Sequence, residues 1–306
     1  MKIVFYDSKM YDDLDLTEFR SLGDVEIYSV TEDSELLDRI KDADIIVNHT
    51  TDIERELIEQ LSCKLIALTS TGYDRVDIEA CRDNGIMVAN VPSYGEHAVA
   101  QMTMNHILNL YSGFYELMNS VKNGEWEKAE DFTYWYGNPR ELHGKTLGIL
   151  GYGAIGKSVG RIAESFGMKI LPYTSSGDLS LEEVLSESDC ITIHLPLTEK
   201  TKNLINKDTI SHMKETAFIV NTARGGIVNE QDLADALNSG KIAGCGLDVL
   251  TNEPPNANDP LMNSKNTYIT PHAAWVAKEA RERMIKTTVE NIKAFMKGEY
   301  INIVNK

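Results

Sequence analysis

Residues 144–156 read Gly-Lys-Thr-Leu-Gly-Ile-Leu-Gly-Tyr-Gly-Ala-Ile-Gly, and this stretch decides the fold. Its first half, Thr146 to Leu150, is a short apolar run of the kind that forms a buried parallel strand. Residues 158–167 follow with apolar side chains at helical spacing. A strand, a glycine-rich turn and a helix in this order favour a dinucleotide-binding unit over a tight turn without a ligand.

Each glycine of the turn has a separate task in such a unit. Gly151 allows the tight turn, Gly153 lets the backbone approach a pyrophosphate, and Gly156 lets the helix pack closely on the strand. The pyrophosphate would lie at the N-terminus of the helix, where free N–H groups and the helix dipole favour negative charge. We therefore predict cofactor contacts at these glycines and at Ala154 and Ile155.

The second strand of this unit, residues 168–173, lacks the acidic residue that usually follows it. An Asp or Glu is expected there to bind the ribose 2′-hydroxyl, or an Arg to bind a 2′-phosphate. The chain has Thr174-Ser175-Ser176 instead. We expect Thr174 at the ribose position and a nicotinamide dinucleotide as the cofactor, with NAD favoured and NADP left open.

Length, charge and hydropathy limit the classes of protein to which this chain can belong. A chain of 306 residues is long enough for two domains, each with its own core. The net charge of −17 argues against non-specific binding to nucleic acids or to anionic membranes. No apolar run approaches the length of a membrane-spanning helix, and the first seven residues predict a strand and not a signal peptide.

Cysteine usage indicates a reducing compartment. Cys63, Cys81, Cys190 and Cys245 form no C-x-x-C pair, and the last two lie in apolar, strand-like contexts. They are expected to be reduced and mostly buried, as in a cytoplasmic protein. No metal site is expected.

The whole chain alternates short apolar runs with segments at helical spacing, which indicates parallel βαβ units. We predict an α/β protein with two doubly wound parallel sheets. Residues 1–97 and 276–306 would form a smaller, flavodoxin-like substrate domain, and residues 98–275 a Rossmann dinucleotide-binding domain. The predicted strands are Ile3–Tyr6, Val25–Tyr28, Asp44–Val47, Leu65–Thr69, Ile86–Ala89, Thr146–Leu150, Lys169–Tyr173, Cys190–His194, Ala217–Asn221, Ala243–Asp248 and Thr267–Ile269.

Two further segments have distinct compositions. Residues 98–111 predict a long apolar helix that carries the chain into the second domain, and residues 278–296 predict a final amphipathic helix. Between residues 123 and 142 lies an irregular stretch rich in aromatic side chains. These aromatic residues could cover a core or form a subunit interface, where such side chains are enriched.

Three ionisable residues fall on loops that follow predicted strands of the second domain: Arg224, Glu253 and His272. Singly, each could be a surface arginine, a loop carboxylate or a hydrogen-bonded structural histidine. Ligands of open α/β sheets bind beyond the carboxyl ends of the strands. Together, at successive strand ends of a dinucleotide domain, these residues predict a catalytic site.

Several motifs together resemble the D-isomer-specific 2-hydroxyacid dehydrogenase family, over nearly the whole chain and in the order of that family. They are the glycine turn at 151–156, His-Leu-Pro-Leu-Thr at 194–198, Asn-Thr-Ala-Arg-Gly at 221–225, Gly-Leu-Asp-Val at 246–249, Glu253-Pro254 and Thr-Pro-His at 270–272. The segment between Tyr173 and Leu181 is shorter than is usual in that family.

The resemblance implies a role for each matching residue. Arg224 would bind the substrate, Glu253 would be the catalytic carboxylate and His272 the acid/base. Further substrate contacts would come from Thr71, Gly72, Tyr94 and Trp275. Cofactor contacts would include Thr103, Leu195, Pro196, Thr222, Ala223, Arg224, Asp248, His272 and Ala274. Relatives also pair, so a homodimer is expected.

The chemistry of these residue types suits reduction of a 2-keto acid. Histidine, with an unperturbed pKa of about 6.5, can give a proton to the keto oxygen. A neighbouring carboxylate favours the imidazolium and fixes its orientation. An arginine can form a fork to the keto oxygen and to one carboxylate oxygen.

The sequence His-Ala-Ala-Trp at 272–275 resembles the glycerate dehydrogenase and hydroxypyruvate reductase branch, so hydroxypyruvate or glyoxylate is the favoured substrate. The residues leave other possibilities open. A D-lactate-type or broad 2-keto acid reductase is the first alternative. A dinucleotide-sensing corepressor without catalytic activity ranks below it, since both termini look short.

Overall fold

The structure, a computed structural model, describes all 306 residues. Its strands are β1 to β11: Lys2–Phe5, Asp24–Ile27, Ile45–Asn48, Leu65–Leu68, Met87–Ala89, Thr146–Leu150, Lys169–Tyr173, Cys190–Ile193, Phe218–Asn221, Gly244–Leu247 and Thr267–Ile269. Its helices are α1 to α11: Thr17–Arg20, Asp33–Ile40, Arg55–Ile58, Ile78–Asp83, Glu96–Ser112, Phe114–Lys122, Ala154–Ser165, Leu181–Glu187, Lys207–Ser211, Glu230–Ser239 and Lys278–Met296.

The chain divides into two compact units. The first unit comprises Met1–Tyr94 and Val276–Lys306, and the second comprises Gly95–Trp275. A boundary after residue 97, as the sequence predicts, would cut α5 two residues after its start. The division at Gly95 instead keeps the whole of this 17-residue helix in the second unit.

The sheet of the first unit is wholly parallel, in the order β2-β1-β3-β4-β5. This is the strand order of flavodoxin-like sheets. Every residue of β3 and β4 is buried. Burial on both faces explains why these strands read as continuous apolar runs and could be recognised from sequence.

The sheet of the second unit is also parallel, in the order β11-β10-β9-β8-β6-β7. The usual Rossmann order places a third strand outside the second. Here residues 174–180 lead directly into α8, and β8 pairs with the opposite side of β6. The short connection seen in the sequence therefore leaves β7 as the edge of the sheet.

The reversal of strand order falls between β6 and β8, and this position fixes where a ligand can bind. In open α/β sheets the ligand crevice lies beyond the carboxyl ends of the strands at such a switch point. Apolar cores pack against the sheet that contains this point: one includes Leu150, Ile191 and Leu233, the other Leu147, Val159 and Ile107. None of the helices is both long and apolar enough to cross a membrane.

Candidate active site

The glycine turn after β6 has the shape of a pyrophosphate cradle. Gly151 has φ +97°, and a Cβ there would lie 2.7 Å from the carbonyl oxygen of His194. A Cβ at Gly156 would lie 2.2 Å from the carbonyl oxygen of Gly151, so only glycine lets α7 start this close to the strand. A Cβ at Gly153 would point into open space.

The N-terminus of α7 leaves its amides available to an anion. Gly153 is the N-cap residue and provides no side-chain cap, and the first turn contains no acidic residue. The first N–H groups of a helix have no partners within the helix. The residues present therefore fit a bound pyrophosphate, with Ala154 and Ile155 in the first turn.

Thr174 directly follows β7, at the position where the acidic residue that binds the cofactor ribose usually stands. Its carbonyl oxygen accepts a hydrogen bond from Gly177 N at 3.1 Å, which closes a turn over residues 174–177. The turn contains hydroxyl groups and no charged side chain, and the acidic Asp178 comes directly after it. The structure thus presents neither an acid nor a cation in this turn to select the cofactor.

The predicted cofactor residues beyond the turn lie at the ends of neighbouring strands. Leu195 and Pro196 follow β8, and Thr201 Oγ1 donates to the carbonyl oxygen of Pro196 at 2.6 Å. The hydroxyls of Thr103 on α5 and Thr222 after β9 lie 2.9 Å apart in a buried position. These contacts fix the loops that follow β8 and β9.

Arg224 lies in a tight turn that Asn221, at the end of β9, holds in place. Asn221 Oδ1 accepts from Ala223 N at 3.0 Å, and Asn221 Nδ2 donates to the Arg224 carbonyl at 2.9 Å. A Cβ at Gly225 would lie 1.9 Å from the carbonyl carbon of Leu250. Glycine therefore brings the Arg224 turn against the loop that follows β10.

The loop after β11 is held by Asp248, which is 1% exposed. Its two carboxylate oxygens accept from Ala273 N at 2.9 Å and from Ala274 N at 2.8 Å, and its carbonyl oxygen accepts from His272 N at 2.8 Å. Three consecutive amides are thereby fixed by one residue. His272 adopts φ +50°, in the left-handed region that non-glycine residues rarely adopt.

His272 and Glu253 form a direct pair, with 2.6 Å between His272 Nδ1 and Glu253 Oε2. The other carboxylate oxygen, Oε1, accepts from Leu250 N at 2.9 Å. Partial burial raises the pKa of Glu253, but the hydrogen bond and charge of His272, with a smaller effect of Arg224, hold it below its ordinary value. The side chains stay 38% and 26% exposed, so the pair is open to a small molecule.

Three predicted substrate residues lie in the first unit, on loops that follow β4 and β5. Thr71 Oγ1 donates to the Val91 carbonyl at 2.6 Å, so its hydroxyl links the two loops. Gly72 accepts a bond from Ser70 Oγ, and the Tyr94 carbonyl accepts from Arg283 at 2.9 and 3.0 Å. Trp275, half-buried, is the last residue of the second unit.

A polar cluster in the first unit was not predicted. His49 Nδ1 lies 2.8 Å from Tyr11 Oη and 2.9 Å from Thr69 Oγ1. Beside it, Asp7 accepts the N–H groups of His49 and Thr50. Asp7, His49 and Thr69 stand just beyond β1, β3 and β4. A polar residue directly after a buried strand was the signal available in the sequence.

Comparisons with known proteins agree with this geometry. The family model described as "D-isomer specific 2-hydroxyacid dehydrogenase, NAD binding domain" matches residues 104–274. A hydroxypyruvate reductase of Blautia hydrogenotrophica is 39% identical, with 100% of both chains covered. A glycerate dehydrogenase of Methylorubrum extorquens is 37% identical over 99% of this chain and 98% of its own length.

Solved structures show the same likeness. The D-lactate dehydrogenase of Aquifex aeolicus, solved with NAD and lactic acid, superimposes with a TM-score of 0.88. The two sequences are 30% identical, with 100% of this chain and 99% of the other covered. The fold and the site thus define an NAD-binding oxidoreductase. The chain belongs to the D-isomer-specific 2-hydroxyacid dehydrogenase family.

Proposed function

We propose that this enzyme reduces a short 2-keto acid, with hydroxypyruvate or glyoxylate preferred, to the D-2-hydroxy acid with NADH. The observation that carries the proposal is the 2.6 Å pair of His272 and Glu253. It stands on the loops after β11 and β10, in the same sheet as the dinucleotide turn. The 39% identity to a hydroxypyruvate reductase over the full chain supports the choice of substrate.

His272 acts as the general acid in this proposal. Because Nδ1 faces Glu253, Nε2 is the nitrogen left to deliver a proton to the keto oxygen. The Glu253 carboxylate stabilises the protonated imidazole and fixes its ring orientation. The bound dinucleotide supplies the hydride.

Arg224 binds and polarises the keto acid. Its planar fork matches one carboxylate oxygen and the keto oxygen, where negative charge grows during reduction. The close approach of Gly225 to Leu250, in the loop that carries Glu253, supports a position of Arg224 beside the acid/base pair. The backbone amides of Thr71 and Gly72 would receive the substrate carboxylate, and Tyr94 and Trp275 would contact the rest of the acid.

The test is a reductase panel with hydroxypyruvate, glyoxylate, pyruvate, phenylpyruvate and 2-ketoisocaproate, each with NADH and NADPH. We expect the highest kcat/KM with hydroxypyruvate or glyoxylate and a product of D configuration. A higher value with pyruvate would favour the D-lactate-type alternative. No turnover of any acid by protein that binds NADH would overturn the proposal and favour a sensing role.

Variants of the pair test the mechanism. His272→Ala should lower kcat by about 10²–10⁴-fold, the usual contribution of general acid catalysis, while NADH still binds. Glu253→Gln should also lower kcat, because the amide cannot stabilise the imidazolium. Glu230→Gln serves as the control, because this carboxylate accepts from Thr251 N in the neighbouring loop without contacting His272. Normal turnover by His272→Ala would show that another group delivers the proton.

A homodimer is also part of the proposal, and the aromatic side chains support it. Phe114 on α6 is 64% exposed, and the following stretch exposes Trp126, Phe132 and Trp135 by 54%, 82% and 65%. Large aromatic side chains so open to solvent favour the interface role over the covering of a core.

The four cysteines are free and buried, which supports a reducing, cytoplasmic setting.

A further inference from the structure

A buried polar chain lies behind the loop that carries His272. It starts at His106 on α5, which is 6% exposed. His106 Nε2 lies 3.2 Å from Thr270 Oγ1, and Thr270 Oγ1 lies 2.5 Å from Asp248 Oδ1. Asp248 is the carboxylate that fixes the amides after His272, so the chain of hydrogen bonds ends at the catalytic loop.

The chemistry of the groups fixes the direction of these hydrogen bonds. A carboxylate only accepts hydrogen bonds, so the Thr270 hydroxyl donates a hydrogen bond to Asp248. The oxygen of that hydroxyl can then accept a hydrogen bond from His106 Nε2–H. Burial lowers the pKa of His106 although the charge of Asp248 opposes this. The lowered pKa favours the neutral imidazole, and the hydrogen bond to Thr270 Oγ1 assigns its proton to Nε2.

The backbone of β10 leaves room for the His106 side chain at Gly246. A Cβ at Gly246 would lie 2.7 Å from His106 Cβ and 2.8 Å from its Nδ1, so β10 approaches the imidazole through a glycine. Neighbours of His106 on α5, Met104 and Ile107, are buried apolar residues. A buried imidazole in such surroundings is costly unless it is hydrogen-bonded, which makes its single partner Thr270 important.

We propose that His106 is a positioning residue for the acid/base step, because its Nε2–H holds the Thr270 hydroxyl on Asp248, and Asp248 holds the loop that presents His272. This inference rests on the acid/base role proposed for His272. Without His106, the Thr270 hydroxyl can turn toward its other acceptor, the Leu247 carbonyl at 3.5 Å. Asp248 would then keep its two amides and lose its third donor.

Loss of the His106 hydrogen bond should lower kcat and leave the affinity for the cofactor unchanged. His106→Leu keeps the apolar volume and loses the donor, so kcat should fall about 10–100-fold, as small misplacements of catalytic groups do. The solvent isotope effect on kcat should rise, because the proton transfer becomes more limiting. His106→Gln carries an N–H near the position of Nε2 and should recover most of the loss.

The measurements are steady-state kinetics in H₂O and D₂O with the fastest keto acid of the panel, NADH binding by fluorescence, and melting temperature. Met104→Leu is the matched control, because it alters packing on the same helix without removing a hydrogen bond. If His106→Leu does not fold, Thr270→Val and Thr270→Ser make the same comparison. The serine retains the hydroxyl and should remain active, whereas the valine should not.

The outcomes separate this inference from the proposed function. His106→Leu should cost little more in a His272→Ala background, because both changes act on one proton transfer. If the double variant instead loses the product of the two single-variant losses in kcat, His106 does not act through the proton transfer of His272. Normal turnover by His106→Leu or Thr270→Val, beside a disabled His272→Ala, would overturn the inference and leave the proposed function standing. An active His272→Ala would overturn both.

Discussion

Replacing Asp7 by Asn is expected to stabilise the first unit above neutral pH and to change little in acid. Asp7 Oδ2 accepts the N–H groups of His49 and Thr50 at 3.0 and 2.9 Å. Its Oδ1 is buried and has no hydrogen-bond partner. The cost of burial outweighs the help of the amides and raises the pKa of Asp7 to about 7.

The magnitude follows from that value. The ordinary pKa is 3.8, and each unit of difference corresponds to about 1.4 kcal/mol. Because the folded state holds the proton more tightly than the unfolded chain, the free energy of unfolding falls as pH rises from about 4 to about 7, and then stays level. The wild type therefore loses up to about 4 kcal/mol above pH 7 that a neutral Asn retains. Asn also keeps an oxygen for the two amides.

The assay is thermal unfolding followed by far-UV circular dichroism at acid and alkaline pH. At roughly 3 °C per kcal/mol, Asp7→Asn should melt up to about 12 °C above the wild type at pH 8 and within a few degrees of it at pH 4.5. Asp42→Asn, at an exposed position of the same unit, reports the effect of net charge. Equal shifts at both pH values, or a lower melting temperature at pH 8, would refute the reasoning.

Three further predictions concern the second unit. Arg224→Lys keeps the charge and loses the two-pronged guanidinium contact, so kcat/KM should fall about 10–100-fold, which corresponds to the loss of one charged hydrogen bond. An unchanged kcat/KM would mean that Arg224 has a structural role only. Thr174→Asp should raise the ratio of kcat/KM with NADH to that with NADPH, and an unaltered ratio would place the ribose elsewhere. Light scattering should give about twice the chain mass of 34.2 kDa, whereas a monomer at micromolar concentration would contradict the dimer.

The strands could be predicted because parallel sheets bury both faces. β6, β7 and β11 begin and end at the predicted residues, and the other strands differ by one residue at one end or at both ends. Strand order was not available from the sequence, because it depends on which side of β6 the chain returns to after α8. The short segment after β7 was visible, but its effect, a sheet that ends at β7, needed the structure.

Residues of the candidate site were found where chemistry and position coincide at a strand end, as with Arg224 and His272. His106 could not be found in this way, since it lies among apolar residues of a helix and its partner Thr270 is 164 residues away. Glycines show the same limit: the sequence places Gly225 and Gly246 in motifs, but only the contacts show that each lets two elements meet.

Asp248 shows why the loop that carries His272 depends on residues outside the proposed acid/base pair. His272 has a strained backbone, and such a conformation persists only where the surroundings fix it. Asp248 does so with its carbonyl group and both carboxylate oxygens. Because the carboxylate is buried, each donor it loses is costly, so the hydroxyl of Thr270 helps to hold the carboxylate that fixes the loop of His272. The geometry of the His272–Glu253 pair therefore depends on buried polar groups that only the folded chain brings together.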